Sequence, residues 1–473
     1  MNILEAKNEI KNAVRIYLAK DANGNYEIPV ERQRPTLVIG APGIGKTAIM
    51  SKIAAELDIG FLGYTITHHT RQSAIGLPFI SQKNFGGKEY SVTEYTMSEI
   101  VAEVYEAIET QGKKEGILFI DEINCVSETL APAMLELLQH KKFGAHKIPD
   151  GWVLTAAGNP EEYNKSVNEL DMVTLDRVRK FDVEPDYEAF KTYALNSGVH
   201  SAIVGFLSLN SNYLFTAEKN PEGLELVTPR SWEDLSYALY EYEKLSIPVN
   251  ISLIGGYIQS AAIASEFAGY YAIFQKFGII VSGDEVENGK LASLDLSDSN
   301  FEERFALAEI MRAKAVKIAD KAMAKAEAAE AALNVAASEN VQAGVKELLQ
   351  KYKSGTLGRY RKSEYRTVIE GLSELNPSDF ASKYAAECEA YGQSHVEKIE
   401  NVLSFAEKSL GKGQELTSSV TSMLTSENFV GFIARFGCPK FYELDSELLL
   451  GGGDKAKEIA KRALKDATNK SVR

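Results

Sequence analysis

At 473 residues the chain is too long for one compact core and fits about two to four domains. Its 45% hydrophobic and 25% charged residues read as a soluble globular protein, while a formal net charge of -14 argues against duplex DNA or an anionic membrane as the main partner, because non-specific binding to either needs basic surface. The three cysteines, Cys125, Cys388 and Cys438, are too widely spaced for a disulfide framework or a zinc site, and no apolar run reaches the ~18 residues of a membrane span, so the expected location is a reducing cytoplasm.

Met1 to Lys20 places Ile3, Ile10, Ala13, Val14, Tyr17 and Leu18 on helical spacing with charges interspersed from Glu5 onward, the pattern of an amphipathic helix rather than a signal peptide. Asn23-Gly24-Asn25 and Pro29 then mark a turn-rich lead-in. Pro35 to Ile39 is a short apolar, β-branched run of the kind that forms a buried parallel strand. It runs into Gly40-Ala41-Pro42-Gly43-Ile44-Gly45-Lys46-Thr47, which fits the G-x-x-x-x-G-K-[ST] pattern. In that pattern glycines let backbone N–H groups point at phosphate oxygens, the Lys reaches the β- and γ-phosphates, and the Thr ligates magnesium. A helical pattern over Thr47 to Leu57 follows, so the loop joins a strand to a helix N-terminus, where a triphosphate belongs. Gly40, Pro42, Gly43, Ile44, Gly45, Lys46, Thr47 and Ala48 are therefore the candidate ATP-binding residues.

Phe61 to Thr67 reads as a second strand. The adjacent His68 and His69 at its end lack a carboxylate or cysteine at ligand spacing, which favours polar residues facing a site or a neighbouring subunit over a metal pair. Two alternating runs around Asn84 to Gly87 read as a β-hairpin, either a decorative excursion or a substrate- or pore-facing loop. After a helix from about Ser98 to Thr110, Gly116-Ile117-Leu118-Phe119-Ile120-Asp121-Glu122 describes a buried strand that delivers two carboxylates to its carboxyl edge. Downstream of a phosphate loop, Asp121 suits magnesium held through water, and Glu122 suits polarising the water that attacks the γ-phosphate.

A helix from about Glu128 to His140 and a small hairpin over Phe143 to Asp150 lead to another core strand, the run Trp152 to Pro160. This strand ends in Asn159-Pro160. Between a phosphate loop and an acidic strand such an Asn would orient the attacking water; taken alone the pair reads as an Asn-Pro turn. Helical periodicity dominates from Asp186 to about Phe277, over Tyr187–Asn196, His200–Leu209, Ser231–Leu245 and Ile258–Phe274, with a weaker hairpin signal from Tyr213-Leu214-Phe215 and Leu224 to Val227. Val281 to Asn300, rich in Gly, Ser and acid, reads as a linker. The remainder favours helix: Phe301 to Ala343 could form one helix about 60 Å long with Phe305, Ile310, Met311, Val316, Ile318, Met323 and Leu333 as its seam. Gly344 and Lys353 to Lys362 interrupt the pattern, Asn376-Pro377-Ser378-Asp379 caps a helix toward Leu410, and further helices surround Phe429–Phe436 and Lys455–Ala467. The bases and tyrosines of Lys353 to Lys362 fit a solvated inter-helix loop better than an RNA contact in so acidic a chain.

The phosphate loop, the Asp-Glu strand, Asn159-Pro160, Thr174-Leu175-Asp176-Arg177 and Thr228-Pro229-Arg230-Ser231-Trp232-Glu233 occur in an order and spacing that resemble AAA+ ATPases, most closely the MoxR-type branch, over roughly residues 1 to 280. The resemblance implies a P-loop AAA+ α/β core with a parallel sheet at 35–185, preceded by a helix and lead-in at 1–34. A helical lid at 186–280 follows; the acidic linker at 281–300 and the all-α C-terminal region at 301–473 are read from composition, and the resemblance says nothing about them. It implies ATP and Mg2+, a homo-oligomeric ring, a hexamer in that family, and chaperone-like remodelling, often with a partner carrying a von Willebrand A domain. By resemblance Asn159 is the first sensor, Arg177 the finger that enters the neighbouring subunit's site, and Arg230 the second sensor. This chain reads Val178-Arg179-Lys180-Phe181 where the family has Phe directly after Leu-Asp-Arg, so Arg179 is the alternative finger. A chelatase-like motor shares the architecture, and intact Lys46, Asp121, Glu122 and Asn159 argue against a scaffold that binds ATP and turns it over very slowly.

Overall fold

The β-branched and apolar runs of the N-terminal part assemble into one parallel sheet. In this computed structural model, which describes residues 1–66, 76–127, 129–143, 146–164, 167, 172–220, 223–353, 357–374 and 376–450, the strands β1 (Thr36–Gly40), β2 (Gly60–Thr65), β5 (Gly116–Asp121), β8 (Trp152–Gly158) and β9 (Arg179–Val183) stand in the order β2-β5-β8-β1-β9. All four pairings are parallel. Ile39 lies opposite Gly158, and Ile120 opposite Ala156, so the loop ends of β1, β8 and β5 come out side by side. His68, His69 and the helix expected over 455–467 lie outside the described residues.

Alternation along the central strands feeds two cores, one per face. Val38, Ile117, Phe119, Val153 and Ala157 pack with Ile10, Val14, Ile49 and Ile53 of α1 (Ile3–Tyr17) and α2 (Lys46–Glu56). Leu37, Leu118, Ile120, Leu154 and Ala156 pack with Ile100, Val104, Met134 and Leu137 of α3 (Glu99–Gln111) and α4 (Ala131–His140). This is the three-layer α/β arrangement that a doubly buried parallel sheet requires. Asn2 starts α1 with a capping box, its Oδ1 accepting from the Glu5 N–H at 2.9 Å while Glu5 Oε2 accepts from the Asn2 N–H at 3.0 Å. At the other edge of the sheet the buried Lys141 ammonium donates to Gln33 Oε1 at 2.8 Å, and Gln33 Nε2 donates to the carbonyls of Tyr17 and Ile28, tying the lead-in to the core. Burial pulls the Lys141 pKa down to about 8.

The hairpin expected around Asn84 is β3 (Pro78–Phe85) paired with β4 (Lys88–Tyr95) as a separate two-stranded ribbon, exposed on both faces. The small hairpin is Lys142–Phe143 (β6) against His146–Lys147 (β7). The third hairpin lies further along than the pattern indicated. Tyr213 and Leu214 sit in a 3-10 turn, and β10 (Thr216–Asn220) pairs with β11 (Gly223–Val227).

The chain divides into two units: Met1–Phe190 with Asn212–Asp234 and Tyr257–Gln259, and Lys191–Ser211 with Leu235–Gly256 and everything from Ser260. Residues of the span 186–280 therefore fall in both. The second unit is helical. Between α6 (Tyr187–Ser197), α7 (Ser201–Leu209) and α8 (Pro229–Lys244) on one side and α10 (Ala261–Ile280) on the other lies an unanticipated α9 (Ile251–Tyr257). The 36-residue α11 (Phe301–Ala336) is buried on most sides rather than along one stripe, because alanines such as Ala308, Ala315, Ala322 and Ala328 admit neighbours from every direction, while Leu333 of the expected seam is exposed. Its neighbours include α13 (Arg359–Glu374), α14 (Pro377–Leu410), α15 (Gln414–Met423) and α16 (Glu427–Phe436). Gly344 does not break a helix: it lies within α12 (Val341–Lys353), and the break falls just before, where Asn340 Oδ1 accepts from the Ala343 N–H at 3.0 Å as a cap. The acidic stretch 281–300 holds no strand or helix yet is docked. Val286 and Leu296 are buried, the Leu294 N–H donates to Ser409 Oγ at 2.9 Å, and Lys314 pairs with Glu287 at 3.0 Å. Among the described residues no helix is long and apolar enough to cross a membrane.

Phe119 is wholly buried and Tyr90 half-exposed. Phe119→Ala is expected to destabilise the first unit by about 3–5 kcal/mol, and Tyr90→Ser by less than about 0.5 kcal/mol. Denaturant unfolding of both variants followed by circular dichroism checks the contrast.

Candidate nucleotide site

Three strand ends build the site. The turn after β1 is the phosphate loop, the last residue of β5 is Asp121, and the residue after β8 is Asn159. Because β8 pairs with both β1 and β5, the three ends are neighbours at the carboxyl edge, the place where open α/β sheets bind ligands.

Lys46 sits at the centre. Its ammonium donates to Gly40 O at 2.7 Å, Ala41 O at 2.8 Å and Asn159 Oδ1 at 2.9 Å. All three acceptors are neutral. Burial therefore pulls the pKa down to about 8, the nearby Asp121 and Glu122 charges opposing the shift and Arg230 adding to it. A buried ammonium whose hydrogen bonds all go to neutral oxygens fits phosphate oxygens as its counter-charge. Beside it Thr47 Oγ1 donates to Asp121 Oδ2 at 2.9 Å, two hard oxygen donors of the type that suits Mg2+. Asp121 Oδ1 accepts from the Glu122 N–H at 2.9 Å, and Glu122 itself takes a left-handed backbone with φ 57°.

The loop is closed from a distant part of the sequence. Gly43, at φ 74°, has Thr228 Oγ1 only 2.7 Å from where a Cβ would stand, and its carbonyl accepts from the Arg230 N–H at 3.1 Å. Thr228 caps α8, its Oγ1 accepting from the Ser231 N–H at 3.2 Å while Ser231 Oγ accepts from the Thr228 N–H at 2.9 Å, with Pro229 as the first helical residue. The wholly buried Trp232 pins the turn through its Nε1–H to Tyr213 O at 3.0 Å. Arg230 thus reaches the loop, with its side chain exposed.

Residues 35–178 match the family model of the AAA domain, dynein-related subfamily. An AAA domain is a nucleotide-dependent ATPase module, and the matched span holds the phosphate loop, Asp121, Glu122, Asn159 and Arg177. No curated protein matches the chain.

Gly40, Gly43, Lys46, Thr47, Asp121, Asn159 and the Arg230 backbone are thus brought together, with Glu122 adjoining Asp121. Arg177 is not among them: it ends the short helix α5 (Met172–Arg177), exposed to solvent. Arg179 lies on β9, its guanidinium 3.6 Å from Glu9 and over the Phe181 ring. Two residues of the site have contacts that the sequence pattern does not mark. One is Thr228 in its contact with Gly43. The other is Asn124, buried, whose Nδ2 donates to Asn159 O at 2.8 Å and whose Oδ1 accepts from the Asn159 N–H at 3.3 Å. Its place three residues after Asp121 was the only available signal.

Phosphates arriving at Lys46 stabilise the ammonium and raise its pKa, so ATP binding near pH 8 takes up a proton. Affinity for ATP is expected to fall above pH 8 by up to roughly tenfold per unit. Calorimetric titration at pH 8 in two buffers of different ionisation enthalpy reads the proton directly; equal heats in both would contradict it.

Proposed function

We propose that the chain is a ring-forming, cytoplasmic Mg2+-dependent ATPase that couples ATP hydrolysis to remodelling or maturation of a protein partner, in the manner of MoxR-type AAA+ proteins. The observation that carries the reading is the meeting of Lys46, Asn159, Thr47 and Asp121 at one sheet edge, with the backbone of Gly40 to Ala48 leading into a helix N-terminus. Lys46 and the loop amides hold the β- and γ-phosphates. Thr47 and Asp121 hold Mg2+, which when bound neutralises charge on the phosphate oxygens. Glu122 accepts the proton of the water that attacks the γ-phosphorus, and Asn159 orients that water.

Arg230 is assigned to the phosphates from the lid side, and Arg177 to the γ-phosphate of a neighbouring subunit. A guanidinium there stabilises the charge that spreads over the oxygens in the transition state, and supplying it from a neighbour couples turnover to assembly. Arg177 is preferred to Arg179 because its side chain is exposed whereas Arg179 is engaged with Glu9. The exposed ribbon β3–β4, carrying Phe79, Ile80, Phe85 and Tyr90, supports a polypeptide as the object of the work. A partner with a von Willebrand A domain and a hexameric ring follow from the MoxR-type resemblance alone.

Phosphate release with Mg2+ across a series of protein concentrations tests this. Specific activity is expected to rise with concentration, and Glu122→Gln and Arg177→Ala to lower it by about 100-fold or more while ATP still binds. Negligible turnover at every concentration with ATP bound would replace the motor by a nucleotide-dependent scaffold.

A further inference from the structure

We propose that Asn124 is a positioning residue that locks Asn159 to the turn carrying Glu122, so that the water-polarising and water-orienting groups move as one piece. The proposal rests on the ATPase reading above. Strand β8 ends at Gly158, which leaves the N–H and C=O of Asn159 beyond its ladder, and the next residue, Pro160, has no N–H to offer. One side-chain amide engages both groups: Asn124 donates to Asn159 O at 2.8 Å and accepts from the Asn159 N–H at 3.3 Å.

The fit is built from three sides. Glu122 adopts its left-handed conformation immediately before a 3-10 turn over Ile123–Cys125, closed by the Cys125 N–H to Glu122 O at 2.9 Å, and this turn points Asn124 back at β8. Gly158 makes room, since a Cβ there would stand 2.4 Å from Asn124 Oδ1. With its main chain clamped, the Asn159 side chain faces Lys46 at 2.9 Å. Asn is the residue this needs. Asp accepts but does not donate, Ala does neither, and Gln is one methylene too long for a two-point contact at this spacing.

The test is a double-mutant cycle with hydrogen exchange. Asn124→Ala is expected to lower kcat by about tenfold to a hundredfold, with KM for ATP changed less than about threefold. In an Asn159→Ala background it should then cost less than in the unmodified chain, because one of the two groups that the clamp aligns is already gone. Exchange of the Asn159 amide should accelerate in Asn124→Ala and stay slow in Asn124→Asp, whose carboxylate still accepts. Losses that multiply in the double variant, a KM rise that matches the loss of kcat, or unchanged exchange in Asn124→Ala would overturn the clamp. If the unmodified chain fails to turn over ATP, the ATPase reading falls, and the exchange measurement still decides the clamp by itself.

Discussion

Parallel pairing of β8 between β1 and β5 is the constraint on which the site depends. Hydrogen bonds along two ladders fix how far each strand runs before it ends, and the residues with chemistry lie at or beyond those ends: Asp121 closes β5, Asn159 follows β8, and the loop after β1 leads to Lys46 and Thr47. No side chain has to search for its partner. Lys46 meets Asn159, and Thr47 meets Asp121, because three backbones terminate at one level. The cost is borne by Lys46, whose charge is held among neutral oxygens at a point where desolvation works against it. That unfavourable arrangement is what an incoming polyanion relieves.

The core could be read from the sequence because its signals are local. A strand buried on both faces must be a short apolar run, and a loop that presents backbone amides to phosphate must be rich in glycine. The strand ends Gly40, Asp121 and Gly158 fell within two residues of expectation for the same reason. What the sequence hid was contact between segments far apart in the chain. Nothing local marks Thr228 as the residue that fills the space beside Gly43, or Asn124 as the clamp of Asn159, since both roles exist only after the sheet has closed. Lys141 shows the same limit. A lysine after a helix reads as a surface residue, and its burial depends on Gln33 arriving from the lead-in.

In the helical unit the periodicity marked the longer helices, missed α9 and α15, and misplaced two breaks. Gly344 carries a helix through because a single glycine costs only about 1 kcal/mol in a helix interior, while Asn340, which offers a side-chain oxygen to the amides after it, starts one. The start of α10 lies at Ala261 instead of Ile258, because Gln259 is drawn into a bridge with Leu226. Long α11 departs from an amphipathic pattern for a reason of size: alanine on several faces lets helices approach all round, so no stripe is needed.

The ribbon of β3 and β4 is held by one ladder, by the Lys83–Glu94 ion pair and by the Phe85 and Tyr90 rings 6.1 Å apart. Among the described residues it pairs with no further strand. An isolated two-stranded ribbon is marginally stable in water, so its opening costs far less than opening the parallel sheet behind it. An outer edge of this kind presents backbone donors and acceptors to further pairing. A chain that pairs with such an edge exchanges hydrogen bonds to water for hydrogen bonds to backbone, and in doing so orders a part of the first unit that is cheap to reshape. The ribbon is thus the place where conformational entropy can be traded for contact while the phosphate-binding edge stays rigid.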